Sequence, residues 1–319
     1  MVDFVAGNDD FGKRLADSLR CRYIQVRENY YPDGEPVPTV LSDYNLDDQF
    51  GIFAPRTKYL QNDAQLAKYL NLIPLVLHNL TSYELYNAAR VDLVLPYFEL
   101  SRQDHNPRTD NDEKVRNNDR GKAIGYKVLA DIYKATGAKR IVTFDPHFNR
   151  IGGSSNVCGL DVLGLSGADA LARYFAPRID EDTIIISPDM GSGPLSERLK
   201  GSLGRITGFN LESKTLKKVR LNENEVELSG YDAKGSNVLV VDDIISTFGT
   251  VEKRRGKLLN ASSVDIACVH AVLPQIGNDR LTNMIRDGLI REVVATDTIE
   301  SPYGKASVIP ELKELYERF

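Results

Sequence analysis

The 319-residue chain contains no tryptophan, only three cysteines and only four histidines. The thiols, Cys21, Cys158 and Cys268, are odd in number and scattered, which excludes a disulfide framework and a CxxC knuckle. The histidines show no zinc-ligand spacing. No apolar run approaches the roughly 20 residues needed to cross a bilayer, so no membrane partner is expected. Residues 1–7 lack the basic start and long apolar stretch of a secretory signal, so a cytoplasmic location is expected. Positive charge is not in excess: 40 Lys and Arg stand against 45 Asp and Glu, a net charge of −5. Nucleic acids and anionic membranes both need cationic surface, so nucleic acid is not an expected partner either. What is present is an ordinary globular balance, 42% hydrophobic and 27% charged. At roughly 150 residues per domain, two domains are expected.

Short β-branched runs alternate with longer helical stretches. The runs lie at 4–6, 51–54, 91–98, 141–144, 183–187, 238–241, 264–273 and 292–294. Several are apolar at successive positions, as in strands buried on both faces of a parallel sheet. Helices are predicted at 9–20, 61–80, 121–136, 167–176 and 248–260. This alternation predicts a doubly wound α/β fold. The polar segment 101–122 and the charged segment 210–227 read as long loops, a length that in compact domains tends to be functional.

The pattern occurs twice, and each half ends a strand in an acidic segment. One is Thr143-Phe144-Asp145-Pro146-His147; the other is Val240-Val241-Asp242-Asp243. Open parallel sheets hold ligands at the carboxyl ends of their strands, so chemistry is sought there first. After Asp243, the run Ser246-Thr247-Phe248-Gly249-Thr250 offers hydroxyls and backbone N–H groups suited to a phosphate. Two adjacent carboxylates accept hydrogen bonds from vicinal ribose hydroxyls or hold hydrated Mg²⁺. The plainer reading is a helix cap and a tight turn. Arg102 and Gln103 present planar donors suited to a purine edge and a phosphate, or a solvated loop. Pro32-Asp33-Gly34 is by itself a turn. His147 could hold a metal, although a lone strand-end histidine is more often structural.

Taken together, these segments resemble the ribose-phosphate diphosphokinases, also called PRPP synthetases, especially their archaeal members. The segment 240–250 resembles the phosphoribosyl-diphosphate motif. Pro96-Tyr97-Phe98-Glu99-Leu100-Ser101-Arg102-Gln103-Asp104 resembles the nucleotide segment. Tyr30-Tyr31-Pro32-Asp33-Gly34-Glu35 resembles the aromatic-x-Asp-Gly-Glu segment. Phe144-Asp145-Pro146-His147 and Ile186-Ser187-Pro188-Asp189-Met190-Gly191 match in the same way, and 306–312 resembles the closing strand–helix segment. The matches run in family order along essentially the whole chain.

The resemblance implies two phosphoribosyltransferase-like α/β domains, each with a parallel sheet flanked by helices. The expected first domain is 1–150, which also receives the tail 303–319, and the second is 151–302. The implied reaction is Mg²⁺-dependent transfer of the β,γ-diphosphoryl group of ATP to the C1 hydroxyl of ribose 5-phosphate, giving PRPP and AMP. Arg102, Gln103 and Asp104 would bind ATP, with Tyr31, Asp33 and Glu35 supplied by a neighbouring subunit of a homo-oligomer, a dimer or a hexamer. His147 and Asp189 would hold Mg²⁺, His147 also acting in catalysis. Asp242, Asp243, Ser246, Thr247, Phe248, Gly249 and Thr250 would bind the ribose phosphate. Leu216-Lys217-Lys218-Val219-Arg220, followed by Val226-Glu227, has the spacing of the family's catalytic loop, which selects Lys218 and Arg220; Lys214 is the alternative lysine. His78, His105 and His270 carry no implied role.

Three departures from the family pattern surround the implied site. Phe248 stands where relatives carry a small residue, the loop after Asp104 is long, and extra residues lie between Asn210 and Leu216. They raise the alternative of a 5′-substituted acceptor such as ADP-ribose, the acceptor of an NAD-rebuilding pathway, with Phe248 as a stacking surface. A phosphoribosyltransferase and a non-catalytic regulatory subunit are the readings from other classes. The former would consume PRPP and a base, and the latter would lack the cationic pair at 218 and 220.

Overall fold

The computed structural model describes residues 1–43, 45–58, 63–104, 121–149, 152–216, 218–220, 226–228, 231–246 and 258–318, with the backbone alone described at 58, 63–68, 218–220, 226–228 and 258–259. The chain folds into two compact units. One comprises Met1–Arg56, Ala64–Leu165 and Glu311–Phe319; the other comprises Thr57–Asp63 and Ser166–Pro310.

The first unit is built on eight strands: β1 (Phe4–Gly7), β2 (Arg22–Arg27), β3 (Thr39–Leu41), β4 (Phe50–Phe53), β6 (Arg90–Val94), β7 (Ala138–Phe144), β8 (Gly153–Val157) and β9 (Leu160–Leu165). A two-residue strand β5 (Thr57–Lys58) precedes β6 in the chain and belongs to the second unit. The sheet order is β3-β2-β1-β4-β6-β7-β9-β8. Pairings from β2 through β9 are parallel, while β3 and β8 join the two edges antiparallel. This sheet is therefore parallel at its centre and mixed at its edges. The centre is where strands are apolar throughout: β1, Phe4-Val5-Ala6-Gly7, is buried at all four positions. Strand β2, nearer the edge, alternates instead, with Ile24 and Val26 buried and Gln25 and Arg27 exposed, as one covered face requires.

Local signals start and stop the first helix, Asp10–Leu19. Asp9 caps it by accepting from the backbone N–H groups of Phe11 and Gly12, and Arg20 closes it in the left-handed conformation. Its buried face carries Phe11 and, one helical turn on, Leu15 and Ala16. Helices Asp63–Thr81 and Gly125–Ala135 add Leu72, Ile73, Val76, Tyr133 and others to a core shared with Phe53, Phe98 and Ile141. Each fully buried side chain of this size contributes roughly 1.5–3 kcal/mol.

The second unit is built on β10 (Ile184–Ser187), β11 (Glu212–Thr215), β15 (Asn237–Ile245), β17 (Ser263–Ala271), β18 (Glu292–Thr296) and β20 (Gly304–Ala306). They form a wholly parallel six-stranded sheet in the order β11-β10-β15-β17-β18-β20. Helices Ala168–Phe175, Gly193–Thr207 and Gln275–Arg286 accompany it, and Ile186, Val240, Ile266, Leu281 and Val293 lie in its core. Short pairs complete the unit: β12 (Lys218–Arg220) with β13 (Val226–Leu228), β14 (Tyr231–Asp232) with β16 (Leu258–Leu259), and β5 with β19 (Ile299–Glu300).

Four expectations change. The segment 210–227 is not one loop but carries β11, β12 and the start of β13. The described end of the expected helix 248–260 is the strand β16, and residues 247–257 lie outside the described residues, as do 105–120 of the expected long loop. Near residue 150 the chain continues into the β8–β9 hairpin, which stays in the first sheet because β9 pairs in register with β7. The tail also divides. β20 pairs with β18 in the second unit, whereas helix Ile309–Glu317 delivers Tyr316 to the first. There the Tyr316 ring lies 5.6 Å below the Arg140 guanidinium, and its hydroxyl is 3.4 Å from Oδ2 of fully buried Asp92. Arg90 and Arg140 both pair with that carboxylate, at 3.0 and 2.6 Å. A charge with no solvent access persists only when so compensated. Among the described residues no helix is long and apolar enough to cross a membrane.

Candidate active site

The parallel register of β10 and β15, Ile184 opposite Val238 and Ile186 opposite Val240, brings the carboxyl ends of both strands out side by side. Asp189 lies two residues beyond β10, and Asp242 and Asp243 lie near the end of β15. Asp189 Oδ1 accepts from the backbone N–H groups of Gly191 (2.9 Å) and Ser192 (3.2 Å). Ser192 Oγ is 3.2 Å from that oxygen but 2.7 Å from Asp242 Oδ1. The hydroxyl therefore donates chiefly to Asp242 and ties the two strand ends together. Asp242 Oδ1 also accepts from the Asp243 backbone, and Asp243 Oδ1 from that of Ile244. Asp243 Oδ2 is buried with no hydrogen-bond partner among the described residues.

Electrostatics follows from this crowding. Burial pushes the Asp242 carboxyl up to about 7; the adjacent Asp243 charge and that of Asp189 push the same way, and the Ser192 hydrogen bond opposes them. Cys268 stands opposite Asp242 in the β15–β17 ladder. Burial, then the charges of Asp242 and Asp243, hold its thiol well above the usual range, so it is no nucleophile. Such a pair of acids is suited to a cation or to hydroxyl donors.

The first unit gathers a second cluster at the end of β7. Asp145 has a left-handed backbone, φ +31°, and two residues later His147 Nδ1 meets Asp104 Oδ2 at 3.0 Å. Against an ionised Asp104 this contact favours the tautomer with the hydrogen on Nδ1 and fixes the ring's orientation. In the segment before Asp104, Tyr97, Phe98, Glu99 and Ser101 are buried while Arg102 and Gln103 are exposed. Gln103 lies against Gly125 so closely that a Cβ there would stand 2.4 Å from Gln103 Oε1. Phe148 stacks on Tyr126, with centroids 4.1 Å apart and planes 9° apart, and meets Phe98 edge-on at 5.6 Å.

Tyr31, Asp33 and Glu35 form a tight hairpin tip. Tyr31 and Gly34 donate backbone bonds to the carbonyls of Glu35 and Tyr31, Asp33 Oδ1 accepts from the Glu35 N–H, and Gly34 takes φ +91°, which glycine alone adopts freely. All three named side chains are exposed, Tyr31 by 55%.

Known proteins resemble the chain along its whole length, although no family model matches it. The chain is 30% identical over 314 residues to the ribose-phosphate pyrophosphokinase of Methanothermobacter thermautotrophicus, covering 97% of each chain. The chain belongs to the ribose-phosphate pyrophosphokinase family. It is also 28% identical to the Methanopyrus kandleri protein of that name, covering 96% of this chain and 94% of the other. A crystal structure of phosphoribosylpyrophosphate synthetase from Mycobacterium smegmatis superposes with a TM-score of 0.75, at 23% identity, over 100% of this chain and 99% of that one. The fold is thus the family's, two phosphoribosyltransferase-like α/β domains, and the protein is a diphosphotransferase.

Within this family frame, the structure brings Asp189, Asp242 and Asp243 together in one unit, and Asp104, Gln103 and His147 in the other. Ser246 is half-buried just beyond β15. Thr247, Phe248, Gly249 and Thr250 lie outside the described residues. Lys218 and Arg220 occupy β12, opposite Leu228 and Val226. Lys214 is exposed and ion-paired with Glu212 at 2.7 Å. Two features went unread in the sequence: Ser192, for which the signal is its place just before Gly193-Pro194 at a helix start, and the Tyr126–Phe148 stack, for which there is no local signal.

Proposed function

We propose that the protein transfers the β,γ-diphosphoryl group of ATP to the C1 hydroxyl of ribose 5-phosphate, giving PRPP and AMP. The observation that carries this reading is the carboxylate pair at the end of β15, with an Asp243 oxygen left for a ligand donor. Vicinal ribose hydroxyls donate two hydrogen bonds at the spacing such a pair accepts. Ser246 and the residues after it would take the 5′-phosphate, and Arg102, Gln103 and Asp104 the nucleotide. Attack of the C1 oxygen on the β-phosphorus builds negative charge on the transferring group and on the leaving AMP oxygen. Lys218 and Arg220 would stabilise that charge, and Ser192 would keep the strand-end carboxylates in place.

Mg²⁺ fits the donors. The acids are hard oxygen ligands, and the His147 ring is oriented by its Asp104 contact. Such an ion takes one or two protein ligands and completes its shell with substrate phosphates and water. When bound, it would neutralise phosphate charge; His147 of the first unit and Asp189 of the second each offer a donor suited to it. The exposed tip at Tyr31, Asp33 and Glu35 supports a homo-oligomer in which these residues serve a neighbouring site.

The test supplies ATP and Mg²⁺ with ribose 5-phosphate or ADP-ribose and follows AMP release. AMP is expected with ribose 5-phosphate and lost, by about 100-fold or more, in Lys218→Ala. AMP with ADP-ribose alone would move the assignment to the 5′-substituted acceptor. Unchanged turnover in Lys218→Ala would transfer the role to Lys214.

A further inference from the structure

We propose that Tyr126, backed by Phe148, is a platform within the same chain on which the base of the purine nucleoside triphosphate stacks. The inference rests on the reading that Arg102, Gln103, Asp104 and His147 handle the nucleotide.

Tyr126 sits on the first turn of helix Gly125–Ala135, next to the glycine against which Gln103 lies. Its helical stripe continues through Leu129, Ala130 and Tyr133, all buried in the core of the first unit. By spacing alone Tyr126 would be a core residue, yet it is only half-buried at the end of that stripe. One ring face is covered by Phe148 at 4.1 Å, and Phe148 is braced edge-on by buried Phe98. A ring stacked on a braced neighbour loses little freedom when a ligand arrives, which is the condition for efficient stacking.

Chain connectivity ties the ring to the same cluster, because its stacking partner Phe148 directly follows His147. Partial burial, then the charge of Asp104, raise the Tyr126 phenol, so it stays neutral across physiological pH. The Asp104 carboxylate it senses is the one bonded to His147. An aromatic surface therefore adjoins both the Gln103 segment and the strand-end histidine, where a base and a phosphate chain would lie. Stacking accepts any base, because every base has a π-face, and favours purines by area. The exposed Tyr31 tip can supply a second surface only from another subunit, whereas Tyr126 needs no partner.

The experiment measures KM for ATP and kcat at saturating ribose 5-phosphate, and Kd for ATP by calorimetry, in the wild type, Tyr126→Ala, Tyr126→Leu and Tyr126→Phe. Tyr126→Ala and Tyr126→Leu should raise KM and Kd for ATP about tenfold, with kcat within about twofold. Tyr126→Phe should restore both, since the ring rather than the hydroxyl does the stacking. Tyr126→Leu keeps an apolar contact on Phe148, so it guards against misfolding of the alanine variant. Unchanged Kd in both truncations, or failure of Tyr126→Phe to restore it, overturns the inference. A wild type that binds ATP but releases no AMP refutes the reaction assigned above, and the Kd series still decides the role of Tyr126. No ATP binding by the wild type would sink both.

Discussion

The Asp242 carboxyl offers a direct test of the electrostatics of the strand-end site. Lifted from an ordinary 3.8 to about 7, it binds its proton more tightly in the folded chain than in the unfolded one. Between those values the folded state holds more protons, so stability falls as pH rises. The stabilisation is fully present below about 4 and gone above about 7. At 1.36 kcal/mol per pH unit the ideal difference is about 4 kcal/mol. Asp242 keeps partial solvent access, and relaxation around the charged form reduces the cost, so about 2 kcal/mol is the working figure. For a domain of about 150–250 residues that corresponds to a Tm shift of about 4–8 °C. Asp242→Asn keeps an oxygen for Ser192 and the Asp243 backbone but removes the titration. Calorimetry in EDTA at pH 5 and pH 8 should show the wild-type Tm dropping more than that of Asp242→Asn, by about 60% of this amount, because part of the stabilisation is already lost at pH 5. Parallel changes in the two proteins would refute the argument.

Two further outcomes follow from named contacts. Arg140→Met should destabilise the protein by about 3–5 kcal/mol in denaturant titrations, because it leaves the fully buried Asp92 carboxylate with half-exposed Arg90 as its remaining arginine partner. Asp104→Asn should lower Mg²⁺-dependent turnover about 10–100-fold with little change in Tm, since it loosens the orientation of His147 without opening a cavity.

The parts of the fold that were legible in the sequence are those set by neighbours along the chain. The apolar runs that form β1 and most of β10, the helix expected at 9–20 and the acidic strand ends all announce themselves within a few residues. The edges of the first sheet do not. β8 reads Gly-Ser-Ser-Asn-Val, a poor strand by propensity, and is a strand because β9 lies beside it in register. β12 and β13 escaped notice because an alternation of three residues cannot be told from a charged loop. The residues of the site were legible as types at strand ends, but their connections were not. Ser192 reaches Asp242 across 50 residues, and Tyr126 meets Phe148 only because a helix start and a strand end converge.

The interrupted path of the chain has a consequence for how the molecule is made. During synthesis, domains generally fold in the order in which they emerge. Here the first unit awaits Glu311–Phe319, which follow the whole of the second. Until those residues arrive, no Tyr316 ring can cover the carboxylate–guanidinium cluster around Asp92. A released chain ending at Pro310 would thus carry every residue of the second unit and a first unit with its charged cluster open to water.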